Sequence, residues 1–170
     1  MPSRGNVFLA YSYTGSNAAS GYSTSMNGWN ASVETKFLPF FGVIGDVSGQ
    51  YGSGNVSASG PCSVEGSPSG SCVAGKVSVY NFLLGLRGSH SIWRIRLFAE
   101  CLFGAAHTNA SAPGIASSNT AFTLALGGGL DFHLAPRMSW GIHADYLTTG
   151  NSYAAQEHNI RMSVGPAINF

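Results

Sequence analysis

Ten side chains capable of acid–base or ion-pairing chemistry fall, by parity within each alternating segment, on one face: Glu34, Lys36, Asp46, Arg87, Arg96, Glu100, Asp131, His143, Asp145 and Arg161. Because the set mixes both signs, gathering it in one place would make ion pairs, and an unpaired member buried there would be costly. His143 and Asp145, two residues apart, set an imidazole beside a carboxylate, which orients a general base wherever a hydroxyl nucleophile stands next to it. No serine neighbours that pair, and the other imidazole considered, in His107-Thr108-Asn109, has Asn two residues on. No catalytic residue is therefore assigned. The five histidines (90, 107, 133, 143, 158) lack metal-ligand spacing, so no metal site is expected. Gly70–Val77 approaches a phosphate-binding loop, but Val77 stands where a Ser or Thr would hold Mg²⁺, and a strand rather than a helix follows. Gly127-Gly128-Gly129 is not a dinucleotide fingerprint either, and reads as space for a tight bend or a bulky neighbour. No cofactor is expected.

The elements that must carry these residues follow from composition and period. Of 170 residues only 15 are charged, 8 Lys+Arg against 7 Asp+Glu, or 9 %, where a soluble domain has about 25 %. A net charge of +1 argues against nucleic acid as a partner. The content of apolar and aromatic residues argues against disorder. The scarcity of charge points to a membrane, yet no run reaches the roughly 18 to 20 apolar residues that a spanning helix needs. The most apolar stretches, 92–106 and 121–134, are broken by Arg96, Glu100 or glycines. A closed barrel of short alternating strands is the other spanning solution.

Eight strands are expected, at 6–14, 28–37, 41–52, 76–88, 93–107, 120–134, 138–149 and 159–170. Short connections alternate with polar segments at 15–27, 53–75, 108–119 and 150–158, which read as long loops. The charges named above share one face of the strands that carry them; a slip of one residue would turn them all into lipid. Phe8, Ile44, Leu83, Phe98 and Leu102 are the apolar residues expected to face inward. The outward face has aromatic ends: Tyr13, Trp29, Tyr51, Tyr80 and Tyr146 towards the long loops; Phe37, Phe41, Trp93, Phe132, Trp140 and Phe170 towards the short turns. Two such girdles mark the two membrane interfaces. The expected fold is a single all-β domain over 1–170, an eight-stranded antiparallel up-and-down transmembrane β-barrel. No signal peptide precedes the first strand, so the sequence reads as a mature form with a start Met.

The chain resembles the small outer-membrane β-barrels of the OmpA and opacity-protein type. The likeness rests on Gly28-Trp29-Asn30-Ala31-Ser32-Val33, Gly42-Val43-Ile44-Gly45-Asp46-Val47-Ser48-Gly49, Gly127-Gly128-Gly129-Leu130-Asp131, Ala144-Asp145-Tyr146 and the terminal Phe170. It implies a bacterial outer-membrane location, lipid as the immediate partner, and Phe170 as the signal for the barrel-assembly machinery. No peptidoglycan-binding domain is expected after strand eight. An eight-stranded lumen is just wide enough for side chains to fill, so the inward charges are expected to plug it. The role is then structural or a surface interaction through the four long loops, with the surface ligand unknown and the barrel a monomer. The alternative is a narrow pore for ions or small solutes, gated by the same charges. A third reading, a lipid A-modifying enzyme, would need a His and Ser on the outward face, where this chain has His107 and Asn109. Cys62 and Cys72 fall in the second long segment and are expected to form a disulfide in an oxidising compartment; Cys101 is expected to face lipid.

Overall fold

Alternating strands with one uncharged face have to hide the other, and a sheet can do so alone only by closing on itself. A computed structural model of the chain, describing residues 5–17, 23–57, 60–61, 73–112, 115–151 and 154–170, shows that closure. The barrel strands are β1 (Gly5–Asn17), β2 (Ser23–Lys36), β3 (Phe41–Ser57), β5 (Val73–Ile92), β6 (Ile95–Ala112), β7 (Ile115–Ala135), β8 (Met138–Asn151) and β9 (Ala154–Asn169). The two-residue β4 (Gly60–Pro61) is a rung on the end of β3. Every barrel strand is antiparallel to both neighbours, and β1 pairs with β9 to complete the ring. Gly5 and Phe170 tie this seam with two backbone hydrogen bonds, of 3.0 and 3.1 Å.

The period of two is written into burial. From Arg161 to Phe170 buried and exposed residues alternate without a break, as they do from Asn81 to Arg87. Phe8, Ile44, Leu83, Phe98 and Leu102 all point inward and are buried. Leu9, Val33, Phe82, Leu84, Leu126 and Val164 belong to an outward apolar belt. Among the described residues no Asp, Glu, Lys or Arg points outward between its two aromatic margins. Phe41 and Tyr51 stand at opposite margins on β3. Ten residues of strand cover about 33 Å, or about 25 Å along the axis at a tilt of roughly 40°, the height of a transmembrane barrel's apolar band.

Three sequence expectations need correction. Residues 88–92 were expected to be a connection, but Ser89, His90 and Ser91 ladder onto Phe98, Leu97 and Arg96. The turn is only Trp93-Arg94, so Trp93 leaves the strand and projects from the turn, 90 % exposed. Phe37 likewise lies in the bend after β2 rather than on the strand. The described residues of the polar segments read as long loops are strand. Pairing continues to Asn17↔Ser23, Val56↔Val73, Ala112↔Ile115 and Asn151↔Ala154. Beyond the belt both faces of a strand meet water, so Ser, Asn and Gly report solvent rather than a turn.

Candidate functional site

Because β2, β3 and β5–β9 each aim a charged side chain inward, closure brings most of the charge set together. The network has two parts. In the first, Arg87 donates from Nε to Glu100 Oε2 (2.7 Å) and reaches Glu34 Oε2 at 3.4 Å, with its guanidinium over the Phe98 ring at 4.1 Å. Arg96 donates from Nε and Nη2 to Asp131 Oδ2, at 2.9 and 2.7 Å, and its Nη1 lies 3.2 Å from Glu34 Oε2. Glu34 thus bridges two arginines from across the lumen, since β2 and β6 are not neighbours. The other oxygen of Asp131 meets His143 Nε2 at 3.2 Å. The His143 ring stacks on Phe8 (centroids 3.7 Å apart) and meets the edge of Phe98 (4.5 Å).

In the second part Arg161 joins β9 to β8 and, across the lumen, to β3. It donates to Asp145 Oδ2 (2.9 Å from Nε), Asp46 Oδ1 (2.9 Å) and Ser48 Oγ (2.9 Å). Asn30 Nδ2 donates to the second oxygen of Asp46 at 2.6 Å, and Asn81 Nδ2 to Ser48 Oγ at 3.1 Å. Glycine makes room for these groups. A Cβ on Gly141 would lie 2.5 Å from Asp131 Oδ1 and 2.9 Å from both His143 Nε2 and Phe8 Cε2, and one on Gly127 would strike Asp145.

Nine of the ten residues singled out by parity are thereby placed in hydrogen-bonded or ionic contact within the lumen. Lys36 stays half-buried at the short-turn mouth and joins no ion pair among the described residues. Sequence reasoning overlooked Asn30, Ser48 and Asn81 as partners, although their parity was the available signal. It also overlooked a polar girdle in which Asn6 donates to Asn169 (3.0 Å) and Asn169 to Ser139 (2.7 Å). The lumen is two-sided. Ile44, Leu83, Leu102, Ala125 and Leu147 pack as one apolar cluster. Ser12, Thr14, Gln50, Asn159 and Ser163, on β1, β3 and β9, each hold a buried polar atom with no protein partner.

Outside the lumen, His107 sits on the outward face with Nδ1 2.8 Å from Thr120 Oγ1, and Tyr146 hydrogen-bonds His158 at 2.7 Å. The carboxylates of Glu34, Asp46, Glu100, Asp131 and Asp145 are all inside, so none of them can orient His107. Cys101 is exposed on β6; Cys62 and Cys72 lie outside the described residues. No group of three or more His, Cys, Asp or Glu among the described residues could hold a metal.

No protein-family profile matches the chain, and no curated protein does. Solved structures do. The attachment invasion locus protein Ail of Yersinia pestis, in complex with the heparin analogue sucrose octasulfate, matches over 100 % of both chains at 18 % identity and a TM-score of 0.66. Neisserial surface protein A matches over 99 % of this chain and 98 % of its own, at 12 % identity and a TM-score of 0.74. The outer membrane protein OprG of Pseudomonas aeruginosa matches at 10 % identity and a TM-score of 0.60, over 99 % of this chain and 97 % of its own. The fold is that of the small outer-membrane β-barrels, as the resemblance in sequence implied.

Proposed function

We propose that the protein is an integral barrel of a bacterial outer membrane, closed in its lumen by the Glu34–Arg87–Arg96–Asp131 and Asp46–Arg161–Asp145 networks, with its role at the long-loop end. The observation that carries this reading is the set of cross-lumen pairs, in which Arg96 and Arg87 converge on Glu34 and Arg161 reaches Asp46. Each pair joins strands that are not neighbours, so a permeating ion would have to separate buried charges, at a cost of several kcal/mol. The neighbours named above support the location by shape. The barrel works as a monomer, because closure leaves no strand edge to pair, with outer-membrane lipid around it and Phe170 as the handle for assembly. A heparin analogue binds Ail, but the four polar segments here carry only Glu65 and Glu157 as charged residues, with Lys76 just beyond. A neutral, hydroxyl- and amide-rich surface favours an uncharged ligand over a polyanion. Lipid modification finds little support, since the described carboxylates are sequestered from His107.

A second reading, a narrow gated pore, is favoured by the unpartnered polar atoms of Ser12, Thr14, Asn159 and Ser163, which water would satisfy. Planar-bilayer recording of the refolded protein separates the two. A silent bilayer, with insertion confirmed by protease protection, is expected. Discrete conductance steps altered by Glu34→Ala or Arg96→Ala would instead make the network a gate.

A further inference from the structure

Among the described residues, most of the charges outside the lumen stand at one end of the barrel. At the short-turn end Arg94 and Arg137 stand exposed in neighbouring hairpin turns, with Lys36 at the mouth, and no described acidic side chain faces them. The first turn packs on the strand that leads into the second: the Arg94 carbonyl accepts a hydrogen bond from the His133 backbone N–H on β7 at 2.8 Å, four residues before Arg137. Their arginines therefore belong to strand pairs two strands apart, roughly 10 Å along the sheet. On the belt side of the Arg94 turn, over β3, β5 and β6, lies a shallow outward notch of about 420 Å³, lined by Phe40, Phe41, Gly88, His90, Leu97 and Ala99. Its floor is the cross-strand pair Gly88↔Ala99, small residues set among aromatic ones. Trp93 marks the interface, 90 % exposed and with the Arg94 guanidinium 5.6 Å from its ring centroid.

From this arrangement we infer that the short-turn rim is a binding site for anionic phospholipid, with the phosphate held by Arg94 and Arg137 and an acyl chain seated in the Gly88–Ala99 notch. The inference rests on the membrane reading above. The chemistry fits only the leaflet on this side: cations attract an anionic headgroup where the aromatic margin already sets the depth of the interface. At the opposite end Lys76 is the exposed cation among the described residues, so no pair of cations stands there. A lipid held here would resist exchange with zwitterionic neighbours and fix the depth of the barrel in the bilayer.

Trp93 reports on the site directly. With Trp29→Phe and Trp140→Phe leaving it as the sole tryptophan, the barrel is refolded into phosphatidylcholine vesicles with one-quarter phosphatidylglycerol. Bromine is placed on the acyl chains of one lipid or the other. Quenching by brominated phosphatidylglycerol should correspond to an enrichment of roughly fivefold at Trp93, falling at high salt. Arg94→Ser with Arg137→Ser should abolish the enrichment, while Gly88→Leu, whose Cβ meets only ordinary contacts, should reduce it by filling the notch. Equal quenching by the two lipids, or enrichment surviving the double variant, overturns the inference. Enrichment that Gly88→Leu leaves intact removes the notch from it. An absence of quenching by either lipid would instead defeat the membrane reading itself.

Discussion

At the scale of single residues the lumen depends on arginines that each answer more than one carboxylate. Arg161 is buried and donates to Asp145, Asp46 and Ser48. Replacing it with Met would leave two carboxylates buried and unpaired, a loss of about 3–5 kcal/mol. The expected outcome for Arg161→Met is therefore a clear drop in the urea midpoint of the barrel in micelles. Adding Asp46→Asn and Asp145→Asn removes the stranded charges and should recover most of it. A triple variant as unstable as the single one would show that packing, not charge, sets the cost. Glu34 gives the contrasting case: its pairs, at 3.4 and 3.2 Å, are longer, and its Oε1 has no partner. Glu34→Gln should accordingly cost less than Arg161→Met in the same assay. These residues were legible in sequence because parity alone assigned them a face. Which carboxylate each arginine would choose was not legible, because the cross-lumen pairs join positions 115 and 53 residues apart and depend on how the sheet closes.

At the scale of elements, the strands were visible and their ends were not. Within the belt one face must be apolar, so Asn81 to Arg87 or Arg161 to Phe170 could be read residue by residue. Past the belt that constraint lapses, and polar stretches such as 108–112 continue the ladder without any alternation to betray it. The β5–β6 turn shows the same limit from the other direction. Ile92 pairs with Ile95 across a two-residue turn, and Trp93 takes φ = 56°, the only positive φ among the described non-glycine residues. That sign at the first central position is the mark of a type II′ turn, where glycine is usual. A side chain there costs about 1–3 kcal/mol, partly offset by the 0.5–1 kcal/mol of extra freedom that glycine would lose on folding. Trp93→Gly should therefore raise stability in detergent by about 1 kcal/mol, while slowing insertion into vesicles because the interfacial ring is gone. A variant less stable in micelles would mean that the Trp93–Arg94 contact outweighs the strain.

At the scale of the whole molecule, closure gives the barrel a bore with two unlike walls. The β3 and β5–β8 side contributes Ile44, Leu83, Leu102, Ala125 and Leu147, whereas β1 and β9 contribute Ser12, Thr14, Asn159 and Ser163 with unpartnered oxygens. A buried hydroxyl without a protein partner recruits water, so the β9–β1 wall should be wet. Water entering along it from the long-loop end would pass Thr14, which pairs with Arg161. It would be stopped further on, where Phe8 and Phe98 pack around His143. Ala167, paired with Phe8 and fully buried, lies level with that stop. In a background with Cys62, Cys72 and Cys101 replaced by Ser, a water-soluble thiol reagent added on the long-loop side should label Thr14→Cys and spare Ala167→Cys. Labelling of both would mean that the aromatic and ionic layer does not close the bore, and would favour the pore. Labelling of neither would mean that the lumen is dry throughout, and that the polar wall satisfies itself by rearranging rather than by hydration.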